Sequence, residues 1–367
     1  MRSIIPFNDN WLYWADDVGN NLHDDAFERV TLPHTNRIFP HHNFDSREHS
    51  FVSTYRKRFT LPEPREGRRV YIDFDGAMIA ATVSINGHEF PEHRGGYVPF
   101  SFDLTDYLHD DAENLLVVRL DSSERPDIPP FGYVVDYLTF GGIYRDVWLR
   151  YVEPVHIKDV FVRTYNVLTE AATLEINVRV VNQTNTMVVS ELAAGYREGL
   201  ISQQFRQITL ESGQEKVFTF RFENMIGFEL WSSDNPVLYK PVISLSVLDA
   251  DEWSDTYTVS FGFREAYFSK EDGKFYLNGE PLKLRGLNRH QTYPYIGAAA
   301  SARLQRKDAD IVKYELGCNI VRTSHYPQSP HFLNRCDEIG LLVFEEIPGW
   351  QFIGDEDWKA LSLRDVE

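Results

Sequence analysis

Two stretches of this chain end an apolar run in arginine followed closely by histidine, and a third ends in two glutamates. In NIVRTSHYP (319–327) the strand-like Ile320-Val321 is followed by Arg322 and His325. KLRGLNRH closes on Arg289-His290, and LLVF (341–344) leads into Glu345-Glu346. Imidazoles and carboxylates at such places can donate and accept hydrogen bonds, and an arginine there carries a fixed positive charge. Two carboxylates act on one bond only if they converge on it. Adjacent residues of a strand point to opposite faces, so Glu345 and Glu346 cannot form such a pair.

The elements that must carry these groups follow from the pattern around them. KFYLNGEPLKLRGLNRH (274–290) opens with an Asn-Gly hairpin and ends in a short strand. The spacing predicts a helix over 301–317, with Leu304, Ile311, Val312 and Leu316 on one face and Gly317 as its stop. After the strand CNIVR, a second helix has Ser329 as N-cap and Pro330 at its first position. Phe332, Leu333, Cys336 and Ile339 face inward, and Gly340 ends it. Strand, helix, strand, helix, strand at this spacing means βα units on a parallel sheet. In a (β/α)8 TIM barrel the residues just past the C-terminal strand ends form the floor of the active site. Arg289-His290, Arg322 with His325, and Glu345-Glu346 stand at three such ends.

Upstream of residue 264 the pattern is β throughout. RRVYIDFDGAMIAATVSINGHEF (68–90) alternates apolar and polar residues and places Asn86-Gly87 between two runs, a strong hairpin signal. NLLVVRLDS and RDVWLRYVEP continue that series. IKDVFVRTYN, ATLEINVRVVNQ, EKVFTFRFEN and VISLSVLDA suit a separate sandwich of about 100 residues. Three units are expected: 1–152, 153–263 and 264–367.

Composition narrows the class. The chain has 367 residues, enough for several cores, and 14% of them are aromatic, a level suited to β-sandwich cores and to stacking on sugars. A net charge of −18 argues against nucleic acid as a partner. Cys318 and Cys336 are the only cysteines, no apolar leader follows Met1, and no stretch approaches the ~20 apolar residues of a membrane span. These features point to a cytoplasmic protein without a membrane partner. His34, His41, His42 and His49 lack a metal-ligand spacing and read as surface-loop residues.

NIVRTSHYPQSPHFLNRCDEIGLLVF (319–344) resembles the first signature of the family 2 glycoside hydrolases, which include β-galactosidases and β-glucuronidases. The match runs through Asn319, Arg322, His325, Tyr326, Pro327, Asp337 and Gly340. NGEPLKLRGLNRHQTYPYIG and FGGIYRDVWL (140–149) match further stretches of the family. The resemblance implies a jelly-roll sugar-binding domain, an immunoglobulin-like sandwich and the first part of a TIM barrel. It implies a retaining exo-β-glycosidase acting on a carbohydrate, β-galactosidase first and β-glucuronidase as the rival. The alternative from another class is a non-catalytic carbohydrate-binding fragment.

By the same resemblance Asp136, His290 and His325 contact the substrate, Arg322 positions the nucleophilic glutamate, and Arg289 and Asn319 support the site. Trp350 is a candidate for stacking on a sugar ring. The acid/base and the nucleophile are expected beyond Glu367, because they follow the family's fourth and seventh strands and three strands are present here. No cofactor and no metal site are implied. Magnesium-dependent galactosidases of the family carry a Glu and a His just past the third strand, where this chain has Trp350 and Phe352. The sequence leaves a homo-oligomer open.

Overall fold

A computed structural model describes residues 2–366 except 19–21, 41, 43, 44, 46, 196–202 and 249–253. The first unit is a sandwich of two antiparallel sheets. One orders Ser3–Pro6, Val147–Val152, Arg69–Phe74 and Phe100–Asp103; the other has seven strands centred on Val52–Phe59, Asn114–Asp121 and Ala80–Ile85. Alternation does the work here. In Asn114–Asp121 every second residue points inward, and Leu116, Val118 and Leu120 are wholly buried against Tyr55, Ile72, Val83 and Leu149. Asn86 and Gly87 take φ of 50° and 88°, the two positive values that turn Ala80–Ile85 back into His88–Glu89.

The second unit packs a three-stranded sheet (Val155–Tyr165, Thr173–Asn182, Glu215–Phe222) on a four-stranded one (Gln204–Leu210, Val188–Gly195, Val242–Val247, Ser254–Thr258). Its core includes Ile176, Val178, Val180, Leu192, Leu245 and Phe263.

The third unit holds three parallel strands, Gly286–Arg289, Ile320–Thr323 and Leu342–Phe344, with Ile320–Thr323 in the middle. Gly286 is required there, since a Cβ would lie 2.0 Å from the Ile320 carbonyl oxygen. Helix α2 (Pro330–Ile339) follows the sequence reading closely. The Ser329 hydroxyl accepts from the His331 amide, Phe332, Cys336 and Ile339 are buried, and Gly340 closes the helix at φ 73°.

Helix α1 departs from it. The α-helix spans Ala302–Asp310 and continues as a π-helical turn, Ile311–Glu315. Leu316 was expected inside and is 55% exposed, whereas Gln305 is buried. The cause is polar: Gln305 accepts from the Arg289 guanidinium at 2.7 Å, so that face of the helix serves a buried charge. The wider turn, closed by Leu316 N–H to the Ile311 carbonyl, carries Leu316 outward. A third helix, α3 (Glu356–Val366), which the sequence reading did not include, docks back on the first unit. Its Trp358 indole N–H donates to the Phe131 carbonyl at 3.0 Å.

The units are packed together rather than strung out. Phe39, Met78, Tyr97, Phe140 and Tyr144 of the first share an apolar cluster with Ala298, Ala299 and Tyr326 of the third. Trp231 of the second joins Leu277 and Leu342 and donates to the Asp337 carbonyl at 2.8 Å. No described helix is long and apolar enough to cross a membrane. Cys318 and Cys336 are both free thiols.

Two of the histidines read as surface residues are not. His49 is 2% exposed and its Nε2 lies 3.2 Å from the Thr139 hydroxyl, while His34 is half-buried, 2.9 Å from the Tyr55 hydroxyl. Both pack against rings of the first unit, and burial pushes both imidazoles down to about 4. His42 is exposed, and His41 lies outside the described residues.

Candidate active site

The C-terminal ends of the three parallel strands and one loop of the first unit meet at a single place. Asp136 lies exposed in that loop, and its neighbour Tyr137 sits at the centre of a ring cluster. The Tyr137 ring is 5.3 Å from His290, 5.8 Å from His325, 5.4 Å from Tyr326 and, edge-on, 6.4 Å from Trp350. His290 and His325 are 5.5 Å apart between ring centres, and Trp350 lies 4.4 Å from His325. Tyr97 stacks on Tyr326 at 4.2 Å and closes the floor. Asp136, His290, His325 and Trp350 are thus brought to one neighbourhood from four separate segments.

Polar contacts fix the groups. The His290 Nδ1 is 3.2 Å from the Tyr326 hydroxyl. Burial holds the His290 imidazole below its ordinary range, the charge of His325 adds to that, and the carboxylates of Asp136 and Glu346 oppose it. Its burial favours the neutral imidazole, in which one nitrogen donates and the other accepts.

Arg322 does not point into an empty space. Its Nε lies 2.9 Å from Glu346 Oε1 and its terminal nitrogen 3.0 Å from Oε2, a two-pronged contact. The His325 Nδ1 is 3.3 Å from the same Oε1 and 3.3 Å from the Arg322 guanidinium. Glu345 turns the other way and accepts from the Gln328 amide at 3.1 Å. The two glutamates go to different partners, as neighbours on an extended chain must.

Arg289 is buried and fully engaged. It contacts Asp308 at 2.7 and 2.9 Å, Gln305 at 2.7 Å and the Tyr293 hydroxyl at 3.1 Å, and donates to the Gln328 side chain. Asn319 accepts from the Arg285 amide at 2.8 Å and donates to the Lys283 carbonyl at 2.9 Å, tying the second strand to the segment before the first. Phe352 packs on the backbone of Gly132, where a Cβ would lie 2.1 Å from its ring.

Sequence reasoning missed Tyr137 as a member of this cluster. Tyr137 follows Asp136 directly, so its neighbourhood was a signal. Glu346, expected at the floor of the site from its place past the third strand, meets Arg322 and His325 there.

Comparison with known proteins gives a consistent picture. Residues 21–154, 155–264 and 268–359 match the descriptions "Glycosyl hydrolases family 2, sugar binding domain", "Glycosyl hydrolases family 2" and "Glycosyl hydrolases family 2, TIM barrel domain". A beta-galactosidase of Thermoanaerobacter pseudethanolicus is 46% identical over 373 residues, covering 100% of this chain and 49% of that protein. A putative beta-glucuronidase of Formosa agariphila is 32% identical over 98% of this chain and 43% of its own length. Among solved structures, Bacteroides uniformis beta-glucuronidase superposes with a TM-score of 0.90 at 31% identity, over 100% of this chain and 45% of that one. The chain spans about half the length of the curated relatives it matches.

Proposed function

Because the chain belongs to the glycosyl hydrolases of family 2, we propose that it builds the sugar-facing half of an exo-β-glycosidase active site, of the β-galactosidase type. The observation that carries this reading is the convergence of Asp136, His290, His325 and Trp350 around Tyr137 at the strand ends. In this role Asp136 accepts two hydrogen bonds from neighbouring hydroxyls of the terminal sugar. Neutral His290, and His325 held against Glu346, take the remaining hydroxyls and favour the distorted ring of the transition state. Trp350 offers a face for the apolar side of a sugar.

The relatives put a neutral sugar first: the beta-galactosidase of Thermoanaerobacter pseudethanolicus is 46% identical to this chain and the putative beta-glucuronidase of Formosa agariphila 32%. Arg322 is paired with Glu346 and Arg289 with Asp308, His290 is held neutral by its burial, and Asp136 is an anion at the rim. None of these groups is an unpaired cation, so a uronate's carboxylate would have to be met by residues outside this set. The retaining reaction needs two carboxylates about 5–5.5 Å apart, which Glu345 and Glu346, facing different partners, do not supply. Arg322, with Glu346 already on it, is the group expected to orient the nucleophile.

The test is a screen of nitrophenyl β-glycosides against this chain and against any longer product of its reading frame. Turnover of the β-galactoside by the longer product and not by this chain, lowered roughly 10²-fold in kcat/KM by Asp136→Ala, His290→Ala or His325→Ala, is the expected result. Turnover of the glucuronide alone would transfer the reading to β-glucuronidase. Saccharide binding without turnover in every product would leave a carbohydrate-binding module.

A further inference from the structure

Arg145 lies in the first unit, in the stretch YRDV, yet its side chain ends between two loops of the third. It is 5% exposed. One terminal nitrogen donates to the Pro327 carbonyl at 2.6 Å and to Gln291 Oε1 at 3.3 Å. The other donates to the Tyr97 carbonyl at 2.8 Å and the Asp75 carbonyl at 3.2 Å. Gln291 follows His290 directly, and Pro327 is two residues beyond His325. One guanidinium therefore ties the loop of each site histidine to the other and both to the first unit.

The surroundings are shaped for this passage. A Cβ on Gly76 would lie 3.0 Å from the arginine's Cδ, so the stem runs across bare backbone. Its hydrogen bonds go to carbonyl and amide oxygens rather than to a carboxylate, and its Nε finds no partner. Burying a charge on those terms is costly, and a well-packed apolar residue would give the contact between units more cheaply. What an apolar residue cannot do is fix four oxygens from four segments at set distances; a planar fork can, and a lysine cannot.

We propose that Arg145 is a positioning residue, whose guanidinium sets the spacing between His290 and His325 and thereby the shape of the sugar-facing surface. The inference rests on the reading of the site given above. Its neighbour Asp146 supplies a natural control. That carboxylate takes the His331 Nε2 at 2.7 Å and the Asn8 amide at 2.8 Å, joining the same two units without touching either histidine loop.

The experiment uses the 367-residue chain with isotope-labelled histidine and reads the imidazole resonances by NMR. Wild type is expected to show a cross-peak between the His290 and His325 rings. Arg145→Lys should lose at least half of the cross-peak and shift both ring resonances, while His331→Gln retains the cross-peak. Gln291→Ala cuts only the arm to the His290 loop, so it should shift His290 and leave His325 in place; it decides the matter if Arg145→Lys does not fold. Retention of the full cross-peak in both Arg145→Lys and Gln291→Ala would overturn the proposal. Isopropyl β-thiogalactoside is added in a separate arm. Loss of the cross-peak in Arg145→Lys supports the positioning role whether or not that ligand moves the wild-type resonances, so the positioning role and the galactoside reading fail separately.

Discussion

In the central sandwich Ile176, Val178 and Val180 are wholly buried along one side of a single strand, whereas Leu287 and Phe344 of the parallel sheet are 51% and 55% exposed. Composition does not separate the two regions; cover does. The sandwich strands alternate, and each inward row meets another from the facing sheet, so the core closes on itself. In the parallel sheet Leu287, Val321 and Val343 form one row across three strands. Val321 packs with Val312, Phe332 and Ile339 from the helical segments, while Leu287, at the edge, is left half bare. Phe344 shares its row with Arg322 on the opposite side, which Trp231 and Leu277 cover only near the start of the strands, at Ile320 and Leu342. A parallel strand needs cover on both faces, and here it has part of it.

This contrast can be broken or sharpened by measurement. Ile176→Ala should cost about 2–5 kcal/mol in urea unfolding, since the site is closed on all sides and cannot collapse readily. A cost under 1 kcal/mol would mean that the sandwich core is looser than its burial implies. Hydrogen exchange should show amides of 174–182 protected at least about 100-fold better than those of 320–323. Equal protection in a monomeric sample would show that the parallel sheet is as stable a unit as the sandwiches.

Acid should act on the regions with opposite signs. Burial holds His49 and His156 at about 4, below their unfolded value. The stability due to keeping them neutral is present above pH ~6.5 and is lost as pH falls toward 4, about 1–2 kcal/mol each by pH 5. His331 is raised, chiefly by its hydrogen bond to Asp146, so its contribution is full below pH ~6.5 and fades as pH rises through the raised value. That term is up to about 1 kcal/mol. Melting curves of wild type, His156→Gln and His331→Gln between pH 5 and 8 would test the pair; His331→Gln losing more at pH 8 than at pH 5 would refute the sign. Smallest of all, Leu287→Ala should change stability by less than about 0.5 kcal/mol. A larger loss would mean that something covers the edge.

Much of this was legible because period and cover agree. Asn114–Asp121 and the Asn86-Gly87 turn read directly from alternation and from residues that tolerate positive φ. Strands Val188–Gly195 and Gln204–Leu210 did not stand out, because VVSELAAG buries residues without alternating cleanly and QFRQITL exposes Phe205 while burying Ile208 and Leu210. Leu316 misled because a hydrophobic stripe was assumed to fill the core where Gln305 takes a place for its hydrogen bond. Of the site, the residues standing at strand ends were visible in the pattern and in the family motif. Arg145 stands within the matching stretch FGGIYRDVWL, but its contacts were not legible, since its partners Gln291 and Pro327 are 146 and 182 residues away and nothing local marks that reach.

The loop carrying Asp136 is anchored outside its own unit. The Phe131 carbonyl is held by Trp358 of α3, the Gly132 backbone lies under Phe352, and Phe140 at the far end packs with Ala298 and Ala299. Between those anchors Tyr133 and Val134 are 62% and 70% exposed. A segment pinned at both ends with a bare crest is a place where sequence can drift without moving the residues behind it. A library randomised at 133 and 134 alone would vary what stands at the mouth of the site while its sugar-facing wall stays put.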